Sequence, residues 1–250
     1  MRKLNVIAAI FGLGLGFAAA APAANATNLI PQQEGEIMLK NLDVLDESQA
    51  INTSDLGFSV TSLLFDTDSS QNVNYGLSRL FVDAKGTAND YGNGFIRFGA
   101  SDGGTTEEEN QFWLRAAAIE VDDDGNVIKA SEGGELEVGR FLFEFEEELD
   151  KVSLDFFDTE SSPFTGILEV NGQSMEEFLE AGEDGNTQTI TLNNVSSFVI
   201  QLGKDNGRGS GDGVTLSGVQ SVPEPTTTLG LGALAAAGMF GVKKRKKLKK

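Results

Sequence analysis

The chain has 250 residues, 19 of them basic and 38 acidic, with no cysteine and no histidine. The missing thiols exclude disulfides and cysteine-ligated metals, and the missing imidazole removes the usual general base of serine hydrolases and the commonest zinc ligand. Nine basic residues lie at the ends (Arg2, Lys3 and seven within 243–250); without them and Glu224, the middle holds 10 basic against 37 acidic residues. Such a field repels phosphate backbones and anionic lipid, so nucleic-acid binding is not expected, and it leaves cations as electrostatic partners. Uniform negative charge also keeps a secreted protein soluble.

The first 26 residues read as a signal peptide. A basic start, Met1-Arg2-Lys3, precedes an apolar run from Val6 to Ala21 and the small-x-small site Ala24-Asn25-Ala26, so signal peptidase is expected to leave a mature chain beginning at Thr27. Cleavage after Ala23 is the alternative.

Residues 27–221 read as one acidic all-β domain, a jelly-roll-like β-sandwich of two antiparallel sheets. Seven Asp-Gly or Asn-Gly pairs punctuate it, at Asn93, Asp102, Asp124, Asn171, Asp184, Asn206 and Asp212, and these dipeptides favour the positive φ of tight turns between short strands. Trp113, within the strand-like Gln111–Arg115, is the candidate sugar-stacking ring, since 17 Phe but only one Trp and two Tyr are present. Phenylalanine at alternate positions is core material instead.

Next, Glu120, Asp122 and Asp124 fall at positions 1, 3 and 5 of an EF-hand-like count, with Gly125 at 6 and Val127 at 8. Position 12 is Ser131 where a bidentate glutamate is needed, and the flanks read as strands. An acidic hairpin fits these residues better than a calcium loop, although Asp122 and Asp124 stay as candidate ligands.

Beyond Gly133-Gly134, Phe141, Phe143 and Phe145 alternate with Leu142, Glu144 and Glu146, and Val152, Leu154 and Phe156 repeat the period of two. The acids Glu144, Glu146, Glu147, Glu148, Asp150, Asp155 and Asp158 could pair for glycoside hydrolysis only if one were buried as a raised-pKa acid at a set distance from another. A run of exposed carboxylates meets neither condition, so no catalytic residue is assigned and a non-enzyme is expected. Ser174 to Ala181, with Met175, Phe178 and Leu179 at helical spacing, predicts the one short helix of the domain. Ile190 with Leu192, Phe198 with Ile200 and Leu202, and Val214 with Leu216 resume the strand period. Between the last two groups, Asp205 to Gly213 is glycine-rich but lacks the Gly-Lys-Ser/Thr and the helix of a phosphate cradle.

The chain closes with Pro223-Glu224-Pro225, an uncharged stretch from Leu229 to Val242, and the basic cluster Lys243–Lys250. The prolines exclude helix at the hinge, the apolar stretch is just long enough to span as a single helix, and the basic flank stays on the cytoplasmic side, leaving the acidic domain outside.

Those three features, in that order over 222–250, resemble the PEP-CTERM sorting signal. The resemblance implies recognition by exosortase, with Pro223, Glu224 and Pro225 as sorting residues, and a bacterial host that makes extracellular polysaccharide. Leu136-Glu137-Val138-Gly139, with Val152–Asp158 after it, resembles a Leu-Glu-Val-Gly group of PEP-CTERM proteins, which implies no activity. The Phe141–Asp158 region is similar to galactose-binding-like and carbohydrate-binding jelly rolls, and that likeness makes Asp212, with Asp205 in the same loop, a candidate for structural calcium. The expectation from all this is an exported, non-catalytic structural or adhesive protein of a polysaccharide layer. A calcium-assisted carbohydrate-binding module is the alternative, and an extracellular glycosidase the least favoured.

Overall fold

The computed structural model describes residues 26–65, 73–100, 111–203 and 213–219. Sixteen strands are found among the described residues, with three short 3₁₀ turns: β1 (Thr27–Asn28), β2 (Gly35–Ile37), β3 (Ala50–Ile51), β4 (Phe58–Leu63), β5 (Asn74–Tyr75), β6 (Arg79–Ala84), β7 (Asn89–Tyr91), β8 (Ile96–Phe98), β9 (Phe112–Ala117), β10 (Ile119–Val121), β11 (Val127–Ala130), β12 (Gly139–Phe157), β13 (Gly166–Val170), β14 (Gln173–Phe178), β15 (Thr187–Leu202) and β16 (Gly213–Val219). The domain is all-β, as the turn and alternation pattern predicts. No described helix is long and apolar enough to cross a membrane, and the apolar stretch 229–242 lies outside the described residues.

The backbone of the fold is the antiparallel pair β12–β15, 19 and 16 residues long. Its two halves have different neighbours: Arg140–Phe145 pairs with β4, while Lys151–Phe157 pairs with β16. Between them the register jumps from Glu144↔Ser197 to Leu149↔Val195, five steps along one strand against two along the other. Side chains alternate with a period of two, so an odd excess of three residues moves the inward set from odd positions (Phe141, Phe143) to even ones (Val152, Leu154, Phe156). Both sets therefore reach one core, joined by Phe198, Ile200, Val60, Val82 and Leu114. Phe143 and Phe198 stack with centroids 4.8 Å apart and planes 7° from parallel. Burying each such ring is worth about 2–3 kcal/mol.

Two expectations are corrected here. Hydrogen bonding runs unbroken along a path of nine strands, with β1 and β4 pairing off it to make eleven and small three-stranded and two-stranded sheets beside it, where two separate sheets are expected, and β2–β3 is a parallel pair. The predicted helix at Ser174–Ala181 is instead the edge strand β14 and the segment after it. Asn171 and Gly172, at φ 52° and 72°, form the tight turn that folds β14 back on β13, and pairing along β13 overrides a helical spacing only three apolar residues long. Met175 is exposed as a result.

β6 and β9 are buried on both faces, which breaks the alternation a sequence reader looks for. Leu80, Val82, Leu114 and Ala116 enter the main core. On the other face Phe81 and Ala117 pack under the β7–β8 hairpin with Tyr91, Ile96 and Phe98.

Candidate functional site

Of the residues singled out in the sequence, Ala24, Asp205, Asp212, Pro223, Glu224 and Pro225 lie outside the described residues. Ala26 is exposed at the start of the described chain. Trp113 is 1 % exposed, so its ring is core and offers no platform to a sugar. Its neighbours across the sheet explain this, because position 113 pairs with Asp83 on the doubly covered β6.

Asp122 and Asp124 occupy the turn between β10 and β11, whose strand flanks are those of a hairpin. The Asp122 carboxylate accepts hydrogen bonds from the Asn126 side chain and from the amides of Asn126 (2.8 Å) and Asp124 (3.0 Å), which hold it below the usual carboxylate range. These two aspartates build a turn, and Asp122 already has its oxygen engaged.

Three carboxylates that no sequence spacing groups together converge at one end of the β12–β15 pair. Asp158 follows β12, Glu160 is two residues on, and Asp184 sits in the turn before β15; their oxygens lie within 4.8 Å of one another. The loops are locked by backbone: the Asp158 amide donates to Asn186 O (2.7 Å), Gly182 N to Thr159 O (2.8 Å), and Gly185 N to Asp158 Oδ1 (2.6 Å). Partial burial, and then the negative charge of Asp184, push the Asp158 carboxyl above its ordinary value. Oxygen donors of this kind suit hard cations. Asp158 is legible only as one of a run of acids, and the 25 residues separating it from Asp184 hide the convergence from any local motif.

The face of β6 and β9 under the β7–β8 hairpin carries a layer of ionic groups. Arg115, 3 % exposed at its side chain, donates to Asp83 Oδ2 (3.0 Å) and through Nε and Nη2 to Glu137 Oε1 (2.8 and 2.5 Å), with its guanidinium 4.2 Å from the Phe98 ring centroid. Arg79 pairs with Glu36, which also accepts from the Leu45 amide (2.7 Å). Burial raises the Glu36 and Asp83 carboxyls above the ordinary range against the pull of these partners. The layer gives each residue of Leu136–Gly139 a place. Leu136 and Val138 are buried in a small apolar cluster with Phe65 and Tyr75, Glu137 holds Arg115, and a Cβ at position 139 would lie 2.6 Å from the Phe141 ring.

Residues 221–246 match the PEP-CTERM protein-sorting motif. No curated protein and no solved structure matches the chain. The motif marks a protein processed by exosortase and implies export to the cell surface.

Proposed function

We propose that the chain is a non-catalytic structural or adhesive protein of an extracellular polysaccharide layer, built as one acidic, sandwich-like β domain and released or anchored there by exosortase. The observation that carries this reading is the sorting motif at 221–246 placed directly after the acidic all-β domain. In this reading signal peptidase removes residues 1–26, and the segment 229–242 holds the precursor in the inner membrane with its basic end cytoplasmic. In the same reading Leu136–Gly139 is the signature of the Leu-Glu-Val-Gly group of such proteins.

Mass spectrometry of the native protein's C-terminus is the direct test. Loss of the residues beyond the Pro-Glu-Pro motif is expected; a mature chain still ending at Lys250 would overturn exosortase processing.

The second reading is a calcium-assisted carbohydrate-binding module. It has in its favour the grouping of Asp158, Glu160 and Asp184, and an open groove of about 1180 Å³ along Met38–Val44, walled by Glu47 and Asn52. Retention on a gel of the host polysaccharide, abolished by a chelator, would favour it over the structural reading. With Trp113 buried, recognition there would rest on hydrogen bonds.

A further inference from the structure

Glu34 precedes Gly35, which pairs with Val82, so it lies level with Asp83 on the charged face of β2 and β6. Over this pair comes the turn into β7. The Thr87 hydroxyl lies 2.7 Å from Ala84 O and within hydrogen-bonding distance of Glu34 Oε1. The Asn89 amide nitrogen lies 3.0 Å from Glu34 Oε1, 2.9 Å from Asp83 Oδ1 and 3.4 Å from Thr87 Oγ1. Thr87 has one proton to give and Asn89 has two, yet these atoms make five close contacts. At least two of them lack a proton, so the site is crowded with oxygen and short of donors.

An independent observation points the same way. Tyr91 lies two residues beyond Asn89, on the same side of β7, and is 1 % exposed, yet its hydroxyl has no hydrogen-bond partner among the described residues. Its ring packs 4.7 Å from that of Phe81, beside Glu36 and one alternation from Asp83. Burial, and then the charges of Asp83, Glu34 and Glu36, drive its pKa far up. A buried hydroxyl without a partner is costly.

We propose that a divalent cation, with calcium as the hard and oxygen-preferring candidate, binds beneath the β7–β8 hairpin, held by Glu34, Asp83, Thr87, the Ala84 carbonyl and Asn89, with the Tyr91 hydroxyl facing it. Asn89 would turn its amide to present oxygen, an exchange of two nearly isosteric groups. Asp83 keeps its other oxygen on Arg115, as a metal-bound carboxylate commonly keeps an outer hydrogen bond. Half-buried Glu34 gives the ion a way in from solvent.

The test is thermal unfolding of the full chain in mild detergent, with about 1 mM calcium or with a chelator, the concentration at which extracellular calcium modules fill. Calcium is expected to raise Tm by roughly 5 °C. That gain should vanish in Glu34→Gln and in Thr87→Val and persist in Asp184→Asn. Two variants are named so that a folding failure in one leaves the other to decide. Equal melting temperatures in calcium and chelator would overturn the site, as would a gain that survives both variants. A gain removed only by Asp184→Asn would place the ion at the loop cluster instead, and would overturn this assignment as well. A calcium-dependent change in near-ultraviolet tyrosine absorbance, lost in Tyr91→Phe, is the second readout expected.

Discussion

The two faces of β6 and β9 are both buried and solve the problem of burial in opposite ways. One face gives Leu80, Val82, Leu114 and Ala116 to an apolar core that needs only volume and shape. The other gives Asp83 and Arg115, whose burial is tolerable only while each charge keeps its partner. An apolar layer loses stability in proportion to the atoms removed, whereas an ionic layer loses most when half of a pair is removed and little when the whole pair is replaced. That difference is what measurement can sharpen.

The largest effects are expected at the centres of the two layers. Phe143→Ala, which empties the stack on Phe198, should cost about 3–5 kcal/mol in denaturant unfolding. Arg115→Met should cost a similar ~3–5 kcal/mol by taking the counter-charge from buried Asp83 and from Glu137. The two layers then part company. Adding Asp83→Leu to Arg115→Met should recover the share of the loss that falls on Asp83, while no second apolar-to-polar change should rescue Phe143→Ala. If the double variant is as unstable as the single one, the ionic layer behaves like ordinary core and the contrast fails.

A smaller effect separates the layers by pH. Glu36 and Asp83 have carboxyls raised in the folded state, so their contribution to stability is fully present below their unfolded values, near 4.5 and 3.8, and is lost as pH rises through the raised ones. Asp122, lowered by its turn hydrogen bonds, works in the opposite sense: its contribution is present above the ordinary value and lost as pH falls through the lowered one. Melting curves between about pH 3 and 7 should therefore show Asp83→Asn flattening the decline with rising pH, while Asp122→Asn flattens the decline with falling pH. A wild-type-like pH profile in Asp83→Asn would remove the ionic layer from the account. The smallest change expected is that of Gly172→Ala, about 1 kcal/mol, because only the φ of 72° in the β13–β14 turn is disturbed, far from both layers.

Much of the first layer was legible in the sequence. Phe141, Phe143, Val152, Leu154 and Phe156 announce strands by their period, and the Asn-Gly and Asp-Gly pairs announce the turns, as at Asn93, Asp124, Asn171 and Asp184. Little of the second was. Arg79–Ala84 and Phe112–Ala117 alternate poorly because both of their faces are covered, and a charged residue in such a run reads as solvent-facing. Asp158 and Asp184, or Glu34 and Thr87, come together only through strand pairing over long separations, and no spacing rule reaches that far.

The sequence by itself determined the destination and the material: a sorting motif at 221–246, an acidic middle, no thiol or imidazole chemistry, and strands cut by tight turns. These are local properties, read by a sorting enzyme or a turn without reference to the rest of the chain. Tertiary structure alone decided that Trp113 is core, that Ser174–Phe178 is an edge strand, and that Glu137 of the Leu-Glu-Val-Gly segment is the partner of a buried arginine. Burial and pairing depend on what covers a strand, and what covers it lies tens of residues away in the chain.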